Sequence, residues 1–285
     1  MKVGVLGGGR MGAGIAHAFL TTPDGDSPHD VIVVERDEEF KDAATQRIRE
    51  ALSRSIDRGT IDRTLDDAIS TLHVCTDIGA FADRDLVIEA VPEDRALKSE
   101  ALTTVESVLA EDAALASNTS SIAIEALAAS LSRPQRFLGL HFFNPVPSSS
   151  LVEIVSGSAT DPTLVERARD WVEALGKTPI VVRDSPGFAS SRLGLVLALE
   201  AIRMLDAGVA SAEDIDRAME LGYRHPMGPL RTTDVVGLDV RLDIAEELYA
   251  ALGERFAPPA LLRQMVADGR LGRKSGEGFY RWDGE

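Results

Sequence analysis

A chain of 285 residues, 44% hydrophobic and 27% charged, is long enough for two ordinary domains with real cores and has the balance of a globular protein. Its formal net charge of −16 excludes a general nucleic-acid binder, whose partner's phosphates it would repel, and obliges any anionic ligand to find a locally basic patch. One cysteine, Cys75, excludes an internal disulfide and a multi-cysteine zinc site, so no metal is expected.

Val3 to Leu6 reads as a short buried strand that runs into Gly7-Gly8-Gly9-Arg10-Met11-Gly12 and then a helix to about Leu20. This is Gly-x-Gly-x-x-Gly between strand and helix, the setting in which it binds a dinucleotide. Gly7 makes the tight turn, Gly9 lets backbone approach a pyrophosphate and Gly12 lets the helix pack on the strand. The helix N-terminus then offers free N–H groups to phosphate. The same glycines break any apolar region, so no signal peptide is expected, and no apolar run reaches the roughly 18 residues of a membrane span. A reducing cytoplasm is the expected compartment.

The Pro/Gly/Asp/Ser segment from Thr22 to Asp30 reads as a long surface loop. A second strand, Val31 to Val34, ends at Glu35, where a dinucleotide fold puts its ribose-binding acid. A carboxylate there accepts from the ribose hydroxyls and repels a 2′-phosphate, which favours NAD over NADP, although the adjacent Arg36 pulls the other way. From Glu38 to about Asp67 the pattern is charged and helical. Arg47, Arg54 and Arg58, seven and four apart, fall on one face, either solvated or a clamp for a long anionic substrate. Cys75 reads as a small residue on an apolar strand.

Leu86 to Glu89 is a further buried strand, followed by Glu93 and a helix through Leu109 that carries Lys98. Ala114 to Ser117 is another, with Asn118-Thr119-Ser120-Ser121 capping the next helix. Polar residues at such strand ends are where an open α/β sheet binds its ligands. The apolar run Phe137 to Phe143 contains His141 and is broken by Asn144, Pro145 and Pro147. Glu153 comes twelve positions after His141 in a second apolar run. Neighbouring strands would bring the pair together, with Glu153 holding one imidazole nitrogen and His141 acting as general base.

Asp161 to Gly176 reads as a helix and Thr178 to Arg183 as a last strand, which bounds the domains at 1–183 and 184–285. The second half is helical by pattern. Ser191 to Leu205 is too apolar to face water all round and is expected to be buried between domains or subunits. Ser211 caps the following helix, and His225 reads as structural.

In its motifs the chain resembles the L-3-hydroxyacyl-CoA dehydrogenases, of the 3-hydroxybutyryl-CoA type. The matching pieces are the Gly7 to Gly12 loop, Glu89-Ala90-Val91-Pro92-Glu93, Ser117 to Ser121, His141 to Pro147 and Leu151-Val152-Glu153. Pro186-Gly187-Phe188, His225 to Pro229, Asp234 to Asp239 and Gly272 to Tyr280 continue the series in order. The resemblance implies a Rossmann-type NAD-binding domain followed by an all-α domain for substrate and dimerisation. It implies NAD-dependent oxidation of the 3-hydroxyl of an acyl-CoA, with His141 as base, Glu153 as its orienting partner and Ser120 on the reacting oxygen. Cofactor contacts fall at Gly7, Gly9, Met11, Gly12, Glu35, Glu93, Lys98, Ser120, Asn144 and Lys274. Substrate contacts fall at Arg54, Arg58, Ser120 and Ser191, and a homodimer through the C-terminal helices is implied, with no nucleic-acid or membrane partner.

Two departures bear on the acyl pocket. Ser191 stands where a well-known family member has a substrate-reaching asparagine, and Ser149-Ser150 replace the usual Met-Lys. The rival readings are the same hydride chemistry on an acyl-carrier-protein thioester or a small free hydroxy acid, and a structural or NAD-sensing protein on the same fold.

Overall fold

The alternation of short buried strands with amphipathic helices in the first half resolves into a single sheet. The computed structural model describes residues 1–24 and 27–282 and divides into two units, Met1–Ser185 and Pro186–Glu285. In the first unit the order is β1 (Lys2–Leu6), α1 (Arg10–Thr21), β2 (Pro23–Asp24), β3 (Ser27–Pro28), β4 (Asp30–Val34), α2 (Glu38–Asp57), α3 (Leu65–Ile69) and β5 (Leu72–Cys75). It continues with β6 (Leu86–Glu89), α4 (Arg95–Val108), β7 (Ala114–Ser117), α5 (Ile124–Ala128), β8 (Phe137–Phe142), β9 (Leu151–Ser156), α6 (Pro162–Ala174) and β10 (Thr178–Arg183).

Eight strands form the sheet in the order β10-β9-β8-β7-β6-β1-β4-β5. Every pairing is parallel except β8 with β9. Chain progression reverses at β1, which lies between β4 and β6, and such a switch point opens a crevice at the strand C-termini. Val3, Val5, Val31, Val33, Leu86 and Ile88 are buried as continuous runs, as parallel strands covered on both faces require. Ile15 and Phe19 of α1 pack into the same core.

Three sequence expectations are corrected here. The segment from Thr22 to Asp30 is not all loop, since β2 and β3 pair antiparallel within it; residues 25–26 lie outside the described residues. The charged helix does not run to Asp67: α2 stops at Asp57, with Arg58 as C-cap and Gly59 at φ +69°, and α3 is separate. Asn118 to Ser121 do not cap α5, whose N-cap is Ala123 without a side-chain bond. Thr119, Ser120 and Ser121 have a stronger attraction, the Glu93 carboxylate.

The second unit is helical: α7 (Ser190–Asp206), α8 (Ala212–Tyr223), α9 (Pro229–Val236), α10 (Leu238–Leu252) and α11 (Ala260–Ala267). Ser211 caps α8 by accepting from the Asp214 amide. Leu195, Leu199, Ile202, Leu230, Leu238 and Leu262 form its core. Asp234 accepts from the amides of Phe279 and Tyr280 and from the Trp282 indole, tying the last described residues to α9. Among the described residues no helix is long and apolar enough to cross a membrane, and no cluster of His, Cys, Asp and Glu is placed to hold a metal ion.

Candidate active site

At the switch point Gly7 takes φ +91°, a conformation open to glycine and strained for other residues. A Cβ on Gly12 would lie 1.8 Å from the Gly7 carbonyl oxygen, so only glycine lets α1 start this close to β1. A Cβ on Gly9 would meet nothing within 4 Å, which leaves an open cradle over the start of α1, and no side chain caps that helix. An open, uncapped N-terminus behind a glycine loop fits a pyrophosphate. The cradle is part of a cavity of about 920 Å³ lined by Gly7, Gly9, Met11, Glu35, Glu93 and His141, among others. The residues present fit a dinucleotide.

Glu35 Oε1 accepts from the Gly8 amide at 2.6 Å, which fixes the carboxylate against the glycine loop. Arg36, its rival for the choice of dinucleotide, lines the same cavity but is engaged by its neighbours. Its Nε lies 3.3 Å from Asp37 Oδ2, and its guanidinium stacks 3.5 Å above the Phe40 ring. With Arg36 so engaged, the Glu35 carboxylate on the cavity wall favours NAD. Glu35→Gln keeps an acceptor for Gly8 while removing the charge. Its expected effect is to narrow the NAD-over-NADP ratio in kcat/KM by roughly 10-fold or more, as loss of a charged hydrogen bond allows. An unchanged ratio would remove Glu35 from cofactor selection.

The pairing of His141 with Glu153 follows from strand register. β8 and β9 run antiparallel with His141 directly opposite Glu153, so both side chains leave the same face. His141 Nδ1 lies 2.7 Å from Glu153 Oε2, and both residues are buried. A neutral imidazole held this way carries its proton on Nδ1, which makes Nε2 the acceptor atom of the ring. Asn118 Oδ1 accepts from the Phe142 amide at 2.9 Å and ties the end of β7 to the histidine strand. The peptide bond between Asn144 and Pro145 is cis, and Asn144 stands exposed on the cavity wall.

Beside this pair lies a polar network that sequence reasoning saw only in part. Glu93 Oε1 accepts from Thr119 Oγ1 at 2.6 Å, from the Ser120 and Ser121 amides at 2.9 and 3.1 Å, and from Ser121 Oγ at 3.1 Å. Ser120 Oγ is the most distant donor, at 3.3 Å. Burial pushes the Glu93 carboxyl up, but the Lys98 charge and these hydrogen bonds outweigh it and hold its pKa below the ordinary value. Lys98 gives its donors to Glu89 Oε1 at 2.8 Å, to the Val91 carbonyl at 3.0 Å and to Glu93 Oε2 at 3.2 Å. An ammonium has three N–H groups, and these contacts engage three acceptors.

Glu89 was missed as a functional candidate. It is fully buried at the end of β6, and it also accepts from the Val91 amide and from Ser117 Oγ. The available signal was an acid closing a wholly apolar parallel strand, a position that cannot hold a charge without a counter-ion. Lys177 was missed as well. Its Nζ donates to the Val146 carbonyl at 2.7 Å and the Ser149 carbonyl at 2.5 Å, clasping the turn after Asn144.

Of Arg47, Arg54 and Arg58, the first lies on α2, lines the cavity and donates to the Gly8 carbonyl at 3.4 Å. Arg54 is exposed and 3.7 Å from Glu50, and Arg58 is exposed at the helix end. Neither lines the cavity. Ser191 and Lys274 belong to the second unit, where Ser191 opens α7 and Lys274 Nζ lies 2.5 Å from Asp239 Oδ2.

A dinucleotide crevice with a carboxylate-oriented histidine on its wall defines a class, the nicotinamide-dependent oxidoreductases. Residues 2–185 match the NAD binding domain of 3-hydroxyacyl-CoA dehydrogenase, and residues 187–282 match its C-terminal domain. The chain belongs to the 3-hydroxyacyl-CoA dehydrogenase family and is an NAD-dependent oxidoreductase. A 3-hydroxybutyryl-CoA dehydrogenase of Mycobacterium tuberculosis is 44% identical to it, covering 99% of this chain and 98% of its own. The human mitochondrial hydroxyacyl-coenzyme A dehydrogenase is 37% identical, covering 98% of this chain and 90% of its own. The crystal structure of (S)-3-hydroxybutyryl-CoA dehydrogenase PaaH1 from Ralstonia eutropha has a TM-score of 0.92 at 37% identity, covering 99% of each chain.

Proposed function

We propose that the protein catalyses the reversible oxidation of a short-chain (S)-3-hydroxyacyl-CoA, 3-hydroxybutyryl-CoA foremost, to the 3-oxoacyl-CoA. The observation that carries this reading is the His141–Glu153 pair, 2.7 Å apart on the wall of the dinucleotide cavity. NAD supplies the hydride acceptor when bound. His141 Nε2 takes the proton of the 3-hydroxyl, and Glu153 stabilises the imidazolium that results. Ser120 Oγ turns from Glu93, its long 3.3 Å partner, to donate to the reacting oxygen. Gly9, Met11 and the start of α1 hold the pyrophosphate, Glu35 the ribose, and Glu93, Asn144 and Lys274 the nicotinamide end. Lys98 acts through Glu93. Arg54 and Arg58 meet the phosphates of coenzyme A, and Ser191 lines the acyl pocket.

In this reading residues 1–183 form the NAD-binding domain and 184–285 the substrate and dimerisation domain, and the enzyme works in the cytoplasm as a homodimer. Support for the dimer comes from apolar side chains of the second unit that stand exposed: Leu193 and Val209 at 64%, Tyr223 at 75% and Leu221 at 81%. A monodisperse protein excludes water from such side chains by pairing. Sedimentation velocity at micromolar concentration is expected to give the dimer mass.

A steady-state assay of NADH oxidation with acetoacetyl-CoA, its longer homologues and a non-CoA analogue tests the activity. Fast turnover with acetoacetyl-CoA is the expected result. Silence with every CoA thioester, in protein that still binds NAD, would move the assignment to a carrier-protein thioester or to a non-enzymatic role.

A further inference from the structure

The loop of residues 143–150 joins β8 to β9 and carries the stretch of cavity wall next to His141. Phe143 sets its ring 4.4 Å from the His141 imidazole, tilted by 46°, and Phe143 and Asn144 both line the cavity. Strand register fixes His141 against Glu153, but it stops short of these two residues, since the pairing ends at Phe142 and Val152. Their place depends on what holds the loop. The loop itself supplies little. Its Ser148 and Ser149 amides both donate to the Pro145 carbonyl, and of its residues Val146 alone is buried.

Two ties come from outside. Val146 seats against α1 at Gly14, where a Cβ would lie 2.9 Å from both Val146 Cβ and Cγ2. The missing side chain of Gly14 is therefore the space into which the loop packs. Lys177, between α6 and β10, donates from Nζ to the Val146 carbonyl at 2.7 Å and to the Ser149 carbonyl at 2.5 Å. No carboxylate pairs with this half-buried ammonium among the described residues, and burial holds its pKa below the ordinary value. In a chain of net charge −16, a cation placed in this way gives its donors to two carbonyls rather than to an acid. Val146 is gripped by its side chain and by its carbonyl, and both grips belong to the first unit.

We infer that Lys177 is a positioning residue of the active site, acting with Gly14 through the 143–150 loop to hold Phe143 and Asn144 beside His141. This rests on the reading of His141 as the general base of an acyl-CoA dehydrogenase. Lys177 does not itself line the cavity, so it acts on the reaction only through the loop. A group of this kind works by geometry, and a misplacement of about 1 Å at the reacting centre costs on the order of 10²-fold in rate. Its loss therefore falls on kcat. Binding of the thioester, whose coenzyme A contacts lie elsewhere, is spared.

The test compares wild type, Lys177→Met, Lys177→Arg, Gly14→Ala and the Lys177→Met/Gly14→Ala double variant. Each is assayed for NADH oxidation with acetoacetyl-CoA and, without cofactor, for hydrogen exchange of the peptide covering residues 143–150. Lys177→Met is expected to lower kcat by roughly 10–100-fold with little change in KM for acetoacetyl-CoA. It should also quicken exchange at the Ser148 and Ser149 amides. Lys177→Arg, which can donate to both carbonyls, should recover most of kcat and restore slow exchange. Gly14→Ala should lower kcat too, and in the double variant the two losses should fall short of their product, because both act on one loop.

Wild-type kcat in Lys177→Met or in Gly14→Ala overturns the inference. So does a loss that appears in KM instead of kcat, a loss that arginine does not repair, or one that leaves loop exchange unchanged. Losses that multiply in full in the double variant overturn it as well. If Lys177→Met does not fold, kcat and exchange in Gly14→Ala decide. Inactivity of the wild type with every thioester would instead sink the acyl-CoA reading beneath it. The exchange comparison, which needs no substrate, would then decide whether Lys177 holds the loop.

Discussion

Replacing His141 by alanine is expected to lower kcat by about 10²–10⁴, the usual contribution of a positioned general base, with NAD affinity by calorimetry retained. In the proposed mechanism Nε2 takes the hydroxyl proton, and the size of the loss follows from that. Alanine has a second consequence, because Glu153 is fully buried and would lose its imidazole partner. A buried carboxylate without its partner destabilises the fold, and this would lower activity for the wrong reason. His141→Asn separates the two effects. The asparagine amide can still donate toward Glu153, yet it cannot accept a proton at neutral pH. Both variants are expected to be slow, with His141→Asn the more stable in thermal unfolding. Near wild-type turnover by either one would remove His141 as the base.

The legible part of this site was the part written locally. Gly7 and Gly12 reveal their roles through spacing alone, because a tight turn and close helix packing each exclude a side chain at one position. His141 and Glu153 were also legible as a pair, since strands of opposite direction bring residues of one segment opposite residues of the next. What sequence could not give was the antiparallel register that sets them face to face. The Glu89–Lys98–Glu93 network was harder still. Its members lie on a strand, a helix and a loop, and only the folded sheet shows that one ammonium is shared between two acids. The polar run from Asn118 to Ser121 was read as a helix cap because caps are the commonest local use of such residues. Glu93, more than twenty residues upstream, outcompetes that use with a full negative charge.

That network supplies the second large effect. Lys98 is 1% exposed, and its charge is the counter-ion of a carboxylate buried at the end of β6. Lys98→Met keeps the aliphatic stem and removes the cation. Glu89 then retains only the Val91 amide and Ser117 hydroxyl, and breaking a buried pair from one side costs roughly 3–5 kcal/mol. For a unit of this size the melting temperature is expected to fall by about 6–20 °C, at roughly 2–4 °C per kcal/mol. Activity should suffer beyond the loss of folded protein, because Glu93 loses the charge that helps it organise the Ser120 loop. The sign of the acid dependence follows from the direction of the Glu93 shift. Its folded pKa lies below the ordinary value, so its contribution is present above that value and is lost as pH falls through the folded one. In Lys98→Met the Glu93 pKa should rise, and the loss of stability on acidification should begin at higher pH than in the wild type. Melting curves of both proteins from neutral to acid pH check this. Curves that stay parallel would mean that Lys98 serves Glu89 alone, and a variant as stable as wild type would mean that the Lys98–Glu89 pair adds no net stability.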